Sequence, residues 1–175
     1  MTRVALEPSV LETARRTHPW VEIGRIGSAS DTFEEPGAFL RRWSAEPTAP
    51  PVPAEVVDRN DDLARARGHI LDRAIAAGVD PGTAVALSIA ANEVLTNALV
   101  HGGGEARLSI WAEDGRFICQ VEDAGVGIED PIAGYRPPGG GIGGRGLWLA
   151  RQLVDLMEIL PSERGATIRL HAPVA

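Results

Sequence analysis

The chain has 175 residues, 44% of them hydrophobic, which suits one ordinary domain, or one domain with an appendage, rather than two full domains. Its formal net charge is −7 with a pI near 5.1, and no basic block of about five or six residues occurs, so an electrostatic footprint for nucleic acid or for an anionic membrane is missing. The single cysteine, Cys119, cannot form an intramolecular disulfide, MTRVALEPSV lacks the apolar centre of a signal peptide, and no uninterrupted apolar run reaches the roughly 18 residues of a membrane span. A soluble, cytoplasmic protein is expected, with no nucleic acid and no membrane among its partners.

Residues 1–46 contain short apolar pieces such as VLETARRT and PGAFLRRW without a sustained period, and read as an N-terminal extension. In PTAPPVP, residues 47–53, four of seven residues are proline, which favours an extended, semi-rigid connection and marks a domain boundary. The main domain is then expected over 54–175. Residues 60–77 carry Leu63, Ile70, Leu71, Ala74 and Ile75 at helical spacing, ending at Gly78. Asp80-Pro81 supplies an N-cap followed by proline at the first helical position, opening a second helix that runs to about Val100. ARLSIWA and RFICQVE alternate in the strand manner and are joined through Glu113-Asp114-Gly115, a hairpin signal. Residues 123–146, rich in Gly and Pro, form a long loop of the kind usually kept for function. LWLARQLVDL reads as a helix with Leu147, Ala150, Leu153 and Val154 on one side, and LMEIL with ATIRLH as a second hairpin around PSERG. The order α-α-β-β-loop-α-β-β predicts an α+β sandwich, with helices on one face of a mixed, mainly antiparallel sheet.

Four stretches carry chemistry beyond what a core needs. In NEVLTNALVH, Glu93, Asn97 and His101 lie four apart and therefore share one stripe of the second helix. Taken alone, the stripe is equally an ordinary solvated face. A carboxylate and an amide so placed can also serve as a base and as an oxygen ligand for Mg²⁺, chemistry that calls for phosphate nearby. In VEDAGVGIED, Asp123 ends a strand and Gly125 and Gly127 follow, so backbone can approach a flat ligand while the carboxylate accepts from an exocyclic amine; by itself this is more simply a strand-ending turn. In GGGIGGRGLWLARQL, Gly141, Gly143 and Gly146 satisfy the spelling G-x-G-x-x-G, but GYRPPGG precedes them where a dinucleotide-binding unit needs a strand. A glycine-rich loop running into a helix N-terminus still offers free N–H groups to a phosphate chain, with Arg145 in reach of the same anion. In GATIRLH, Gly165 and Thr167 open the last strand, which alone is a plain hairpin.

Together, in this order and at these separations, the four stretches resemble the N, G1, G2 and G3 boxes of the GHKL ATPase superfamily. NEVLTNALVHGG, DAGVGI and GGRGLWLARQLVD are similar to the bacterial anti-sigma factor serine kinases of the RsbW and SpoIIAB type, over residues 54–173. The pieces VLETARRTHPW and DTFEEPGAFLRRW resemble the tail of the MEDS sensory domain of related regulators, whose first part is lacking here.

The resemblance implies the Bergerat fold, with ATP and Mg²⁺ as cofactors. It implies Glu93 as general base, Asn97 as the Mg²⁺ ligand, His101 as support of the nucleotide pocket, and Asp123 as the partner of the adenine amine. Gly125 and Gly127 would give the ring room and Thr167 would add a polar contact. Residues 128–143 would form a lid, and Gly143, Gly144, Arg145 and Gly146 would meet the phosphates.

The implied activity is that of a serine/threonine protein kinase acting on a STAS-domain anti-sigma antagonist, and so regulating a sigma factor, with a homodimer as a further association. The alternative is a catalytically silent ATP-binding module that switches partner affinity. A two-component histidine kinase fits less well, because His18 is followed by Pro19 in a segment without heptads. A gyrase-like ATPase would need a transducer domain beyond residue 173.

Overall fold

The computed structural model describes residues 7–23, 26–43, 49–58, 63–130, 132–136, 145–160 and 164–175. Two compact units divide the chain, Met1–Ser44 and Ala45–Ala175.

In the first unit, helix α1 (Pro8–Thr17) is followed by strands β1 (Trp20–Ile23) and β2 (Ile26–Ala29) and by helix α2 (Pro36–Trp43). Both helices open on proline, whose missing N–H costs nothing in a first turn. The strands pair antiparallel, Trp20 opposite Ala29. Arg16 ties the unit together: its Nε donates to Glu34 Oε1 at 2.8 Å, its carbonyl accepts from Glu34 N–H at 2.8 Å, and its guanidinium lies 5.8 Å from the Phe39 ring centroid. None of these elements is visible in the sequence pattern, because each is too short for a periodicity to establish itself.

The second unit continues with β3 (Glu55–Asp58), α3 (Leu63–Ala76), α4 (Pro81–His101), β4 (Glu105–Glu113), β5 (Arg116–Asp123), α5 (Gly146–Leu153), β6 (Leu156–Leu160) and β7 (Thr167–Pro173). The strands form one sheet in the order β3-β4-β5-β7-β6. This is the α+β architecture expected from the sequence, with one difference: every strand pair is antiparallel, so the sheet is not mixed. The connections explain it. Two helices connect β3 to β4 and a hairpin joins β4 to β5, while the β5–α5–β6 crossover leaves a gap that β7 fills, antiparallel to both of its neighbours. In the β4–β5 turn both central residues have positive φ, Asp114 at 49° and Gly115 at 73°, the geometry that matches strand twist in a two-residue hairpin.

Helix α4 is the centre of the helical layer. Asp80 Oδ2 accepts from Thr83 N–H at 3.1 Å and Pro81 takes the first position, so the cap expected from the sequence is formed. Leu87, Ala91, Val94 and Leu95 are buried, against Leu108 and Ile110 of β4, Phe117, Cys119 and Val121 of β5, and Ile168 and Leu170 of β7 within one core cluster. Burying a side chain such as Leu95 contributes about 1.5–3 kcal/mol. By length and a mean hydropathy of 1.4, α4 is the one helix among the described residues that would fit a membrane span, but half of that stretch is buried inside the fold, as suits a core helix. Burial also pushes the Cys119 thiol up to about 12.

The opposite face of the sheet is built differently. Arg169 lies 5.5 Å from the Trp111 ring centroid and donates to Gln120, while His171 Nε2 meets Glu158 Oε2 at 2.8 Å. The hydrogen bond from His171 holds the Glu158 carboxyl below its ordinary range, against the opposing pull of partial burial, with Arg169 and Arg116 adding favourable charge.

Candidate functional site

A cavity of about 330 Å³ opens between the C-terminal half of α4, the end of β5 and the start of α5. Its lining includes Asn97 and His101 of α4, Asp123 of β5, Gly127 and Ile128 of the following loop, and Leu147 of α5. Residues far apart in sequence, Asn97 of α4 and Leu147 of α5 among them, thus converge because α4 packs across the sheet and α5 packs beside α4. The volume lies in the range of roughly 300–1,000 Å³ typical of small-molecule sites.

Asp123 lines the cavity where β5 ends. Its Oδ1 accepts from Gly125 N–H at 2.9 Å and from Ala166 N–H at 3.2 Å, and its own N–H donates to Ala166 O at 3.0 Å. One carboxylate oxygen is therefore committed to backbone, which fixes the orientation of the group. Among the described residues no donor meets Oδ2. Gly165, with φ +70°, makes this approach sterically feasible, since a Cβ there would fall 1.9 Å from Asp123 O. His101, exposed in the last turn of α4, borders the mouth, and its carbonyl faces Gly125 closely.

Glu93 and Asn97 lie at the other end, both partly buried. A Cβ on Gly146 would come within 3.0 Å of Glu93 Oε2 and 3.3 Å of Asn97 Nδ2, so the first residue of α5 rests directly on the polar stripe. A side chain at 146 would fill that junction. The N-terminus of α5, with its unbonded N–H groups and favourable dipole, consequently faces the same space as the carboxylate and the amide. Arg145 is the exposed residue preceding the helix, its carbonyl accepting from Leu149 N–H at 2.8 Å.

Of the residues expected from the sequence, Asn97, His101, Asp123 and Gly127 border one cavity, and Gly125 binds Asp123 from beneath. Glu93 stands next to Asn97 at the α5 junction without lining the cavity. Gly143 and Gly144, and the later part of the expected lid, fall in residues 137–144, outside those described. Thr167 does not line the cavity. Strand alternation puts Ile168 on that side and turns Thr167 toward the opposite face, where the sequence reading had no register to set its phase. The apolar lining from Val94, Ala98, Val121, Ala166 and Ile168 was not singled out as part of a site, because such residues look like core.

The donor set was tested against a nucleotide and its metal. No group of three His, Cys, Asp or Glu side chains able to cage a metal occurs among the described residues. Mg²⁺ held largely by phosphate oxygens and water asks for only one or two protein oxygens, which Asn97 with Glu93 beside it can offer. A flat apolar slot ending in an oriented carboxylate fits an aromatic base bearing an amine.

Residues 56–172 match the family model of the histidine kinase-like ATPase domain. Among solved structures, the chain is similar to the NMR structure of the histidine kinase domain of the E. coli osmosensor EnvZ, at 25% identity and a TM-score of 0.43, covering 73% of this chain and 93% of that one. No curated protein matches the chain.

Proposed function

Because this chain belongs to the histidine kinase-like ATPase domain family, whose domains bind ATP and usually Mg²⁺, we propose that it is an ATP-dependent serine/threonine protein kinase of the anti-sigma factor type. In this reading its substrate is a STAS-domain antagonist and its regulated partner a sigma factor, the three meeting in the cytoplasm. The observation that carries the reading is the junction of Glu93, Asn97 and Gly146, where a base, an oxygen ligand and a helix N-terminus share one space next to an adenine-sized slot.

When bound, MgATP supplies the transferable phosphoryl group. Asp123 orients the base by accepting from its exocyclic amine through Oδ2. Asn97 would hold Mg²⁺ through its amide oxygen, the metal supplying charge neutralisation of the phosphates. The first N–H groups of α5 stabilise negative charge as it develops on the phosphate oxygens. Glu93 accepts the proton of the attacking serine or threonine hydroxyl. The absence of a side chain at Gly146 lets the start of α5 approach Glu93 and Asn97 closely. The Met1–Ser44 unit, whose sequence resembles the tail of a MEDS sensory domain, serves as the appended regulatory element.

The test is transfer of labelled phosphate from MgATP to a STAS-domain antagonist. Label on a serine or threonine, lost in Glu93→Ala while ATP binding persists, supports the kinase. Equal labelling with and without Glu93 removes the assigned base. ATP-dependent capture of the antagonist by both proteins, without transfer, leaves a silent switching module in its place.

A further inference from the structure

Beyond Ile128 the chain makes a tight turn before it reaches α5. Asp130 organises that turn: its Oδ1 accepts from Ile132 N–H at 3.1 Å and its carbonyl from Ala133 N–H at 3.0 Å, while Tyr135 N–H donates to Ile132 O at 3.1 Å. The turn lies directly on the first turn of α5, because a Cβ on Gly134 would fall 2.6 Å from Leu147 O. One turn further along α5 stands Arg151, to which the sequence reading gives no role. Its Nε donates to Ala133 O at 2.8 Å, its guanidinium stacks 4.1 Å from the Tyr135 ring centroid, and its Nη1 donates to Met157 O at 2.8 Å.

A single side chain therefore joins three segments: the turn that continues the cavity wall, the helix that borders the phosphate end, and the strand that follows it. Ile128, two residues ahead of the turn, and Leu147 of α5 line the cavity, and Gly146, one residue before Leu147, rests on Glu93 and Asn97. A displacement of α5 against the turn would move the N–H groups that face the phosphates, and errors of about 1 Å in such placement are costly to catalysis. Arginine suits this position because a planar fork can hold two carbonyls while stacking on a ring, which an ammonium cannot do.

We infer that Arg151 is a positioning residue of the nucleotide site, clamping the 132–135 turn to α5 through Ala133 O and the Tyr135 ring and thereby setting the phosphate end of the cavity. The inference rests on the ATP-binding reading. Its signature is selective: Asp123, at the base end, is oriented by the backbone N–H groups of Gly125 and Ala166, outside the 132–135 turn.

The test is calorimetric titration of adenosine, ADP and ATP with Mg²⁺ into the full chain, as wild type, Arg151→Lys, Tyr135→Leu, Tyr135→Phe and Asp123→Asn. Tyr135 is 61% exposed, so its replacement leaves the fold intact even where a change at Arg151 does not. Arg151→Lys and Tyr135→Leu are expected to weaken ATP and ADP by about fivefold to tenfold and adenosine by less than about twofold, with Tyr135→Phe like the wild type. ATP affinity unchanged in Tyr135→Leu, or adenosine weakened in parallel with ATP, overturns the clamp. Those outcomes leave the ATP reading standing so long as the wild type binds and Asp123→Asn binds less. A folded wild type that binds none of the three ligands overturns both.

Discussion

The two ends of the cavity are held by different kinds of structure. At the Asp123 end, orientation comes from main-chain groups: two N–H donors fix one carboxylate oxygen, and Gly165 lets β7 lead its backbone against Asp123 without a side chain between them. At the Glu93 end, orientation comes from a side-chain junction under Gly146 and from Arg151 acting at a distance. Backbone hydrogen bonds inside a sheet are hard to deform, whereas a helix start that leans on side chains can shift. The first end is suited to recognising an invariant base, the second to chemistry in which charge must be accommodated as it moves.

Four outcomes would break or sharpen this contrast. The largest belongs to the Glu93 end: Glu93→Gln is expected to lower phosphoryl transfer by about 10²–10⁴ while ATP affinity stays near the wild type, checked by single-turnover transfer alongside calorimetry. Equal losses in both would make Glu93 a binding residue and blur the distinction. Next, Gly165→Ala is expected to destabilise the fold by about 1–3 kcal/mol in urea denaturation, since both its φ and its distance to Asp123 O forbid a Cβ. A neutral result would mean that the Asp123 end is not rigid. Asp123→Asn should weaken adenine nucleotides about tenfold, near 1.4 kcal/mol, and weaken guanine nucleotides far less. The smallest effect lies on the opposite sheet face, away from both ends. With the Glu158 carboxyl held low in the folded state, its contribution is present above the ordinary carboxylate range and is lost as pH falls through the depressed value. His171→Ala should therefore flatten the acid limb of the stability curve below about pH 4.5 without altering nucleotide affinity.

The sequence made the local features readable and left the tertiary ones hidden. Asp80-Pro81 and Asp114-Gly115 announce a helix start and a hairpin because capping and positive φ are properties of adjacent residues. Glu93, Asn97 and His101 share a stripe for the same reason. The edge strand β3 is missed because four residues with charged ends carry no period. Thr167 is expected at the base only through the family resemblance, and its face is set by pairing with Glu122 and Leu160, which lies outside the sequence pattern. Arg151 is an unremarkable helix residue until the loop it binds is folded back upon it, and Ala166 contributes a backbone donor that no side-chain spelling can reveal.

The borders of the five-stranded sheet bear on how this protein behaves when crowded. At one border, β3 offers only four residues, with Pro51 and Pro53 just ahead of it. At the other, β6 is five residues long and one of its carbonyls, that of Met157, already accepts from Arg151. Short borders interrupted in these ways give an incoming strand little ladder to extend, so the sheet is protected against open-ended, edge-to-edge polymerisation. High concentration should accordingly drive finite association through side-chain surfaces rather than fibrous growth.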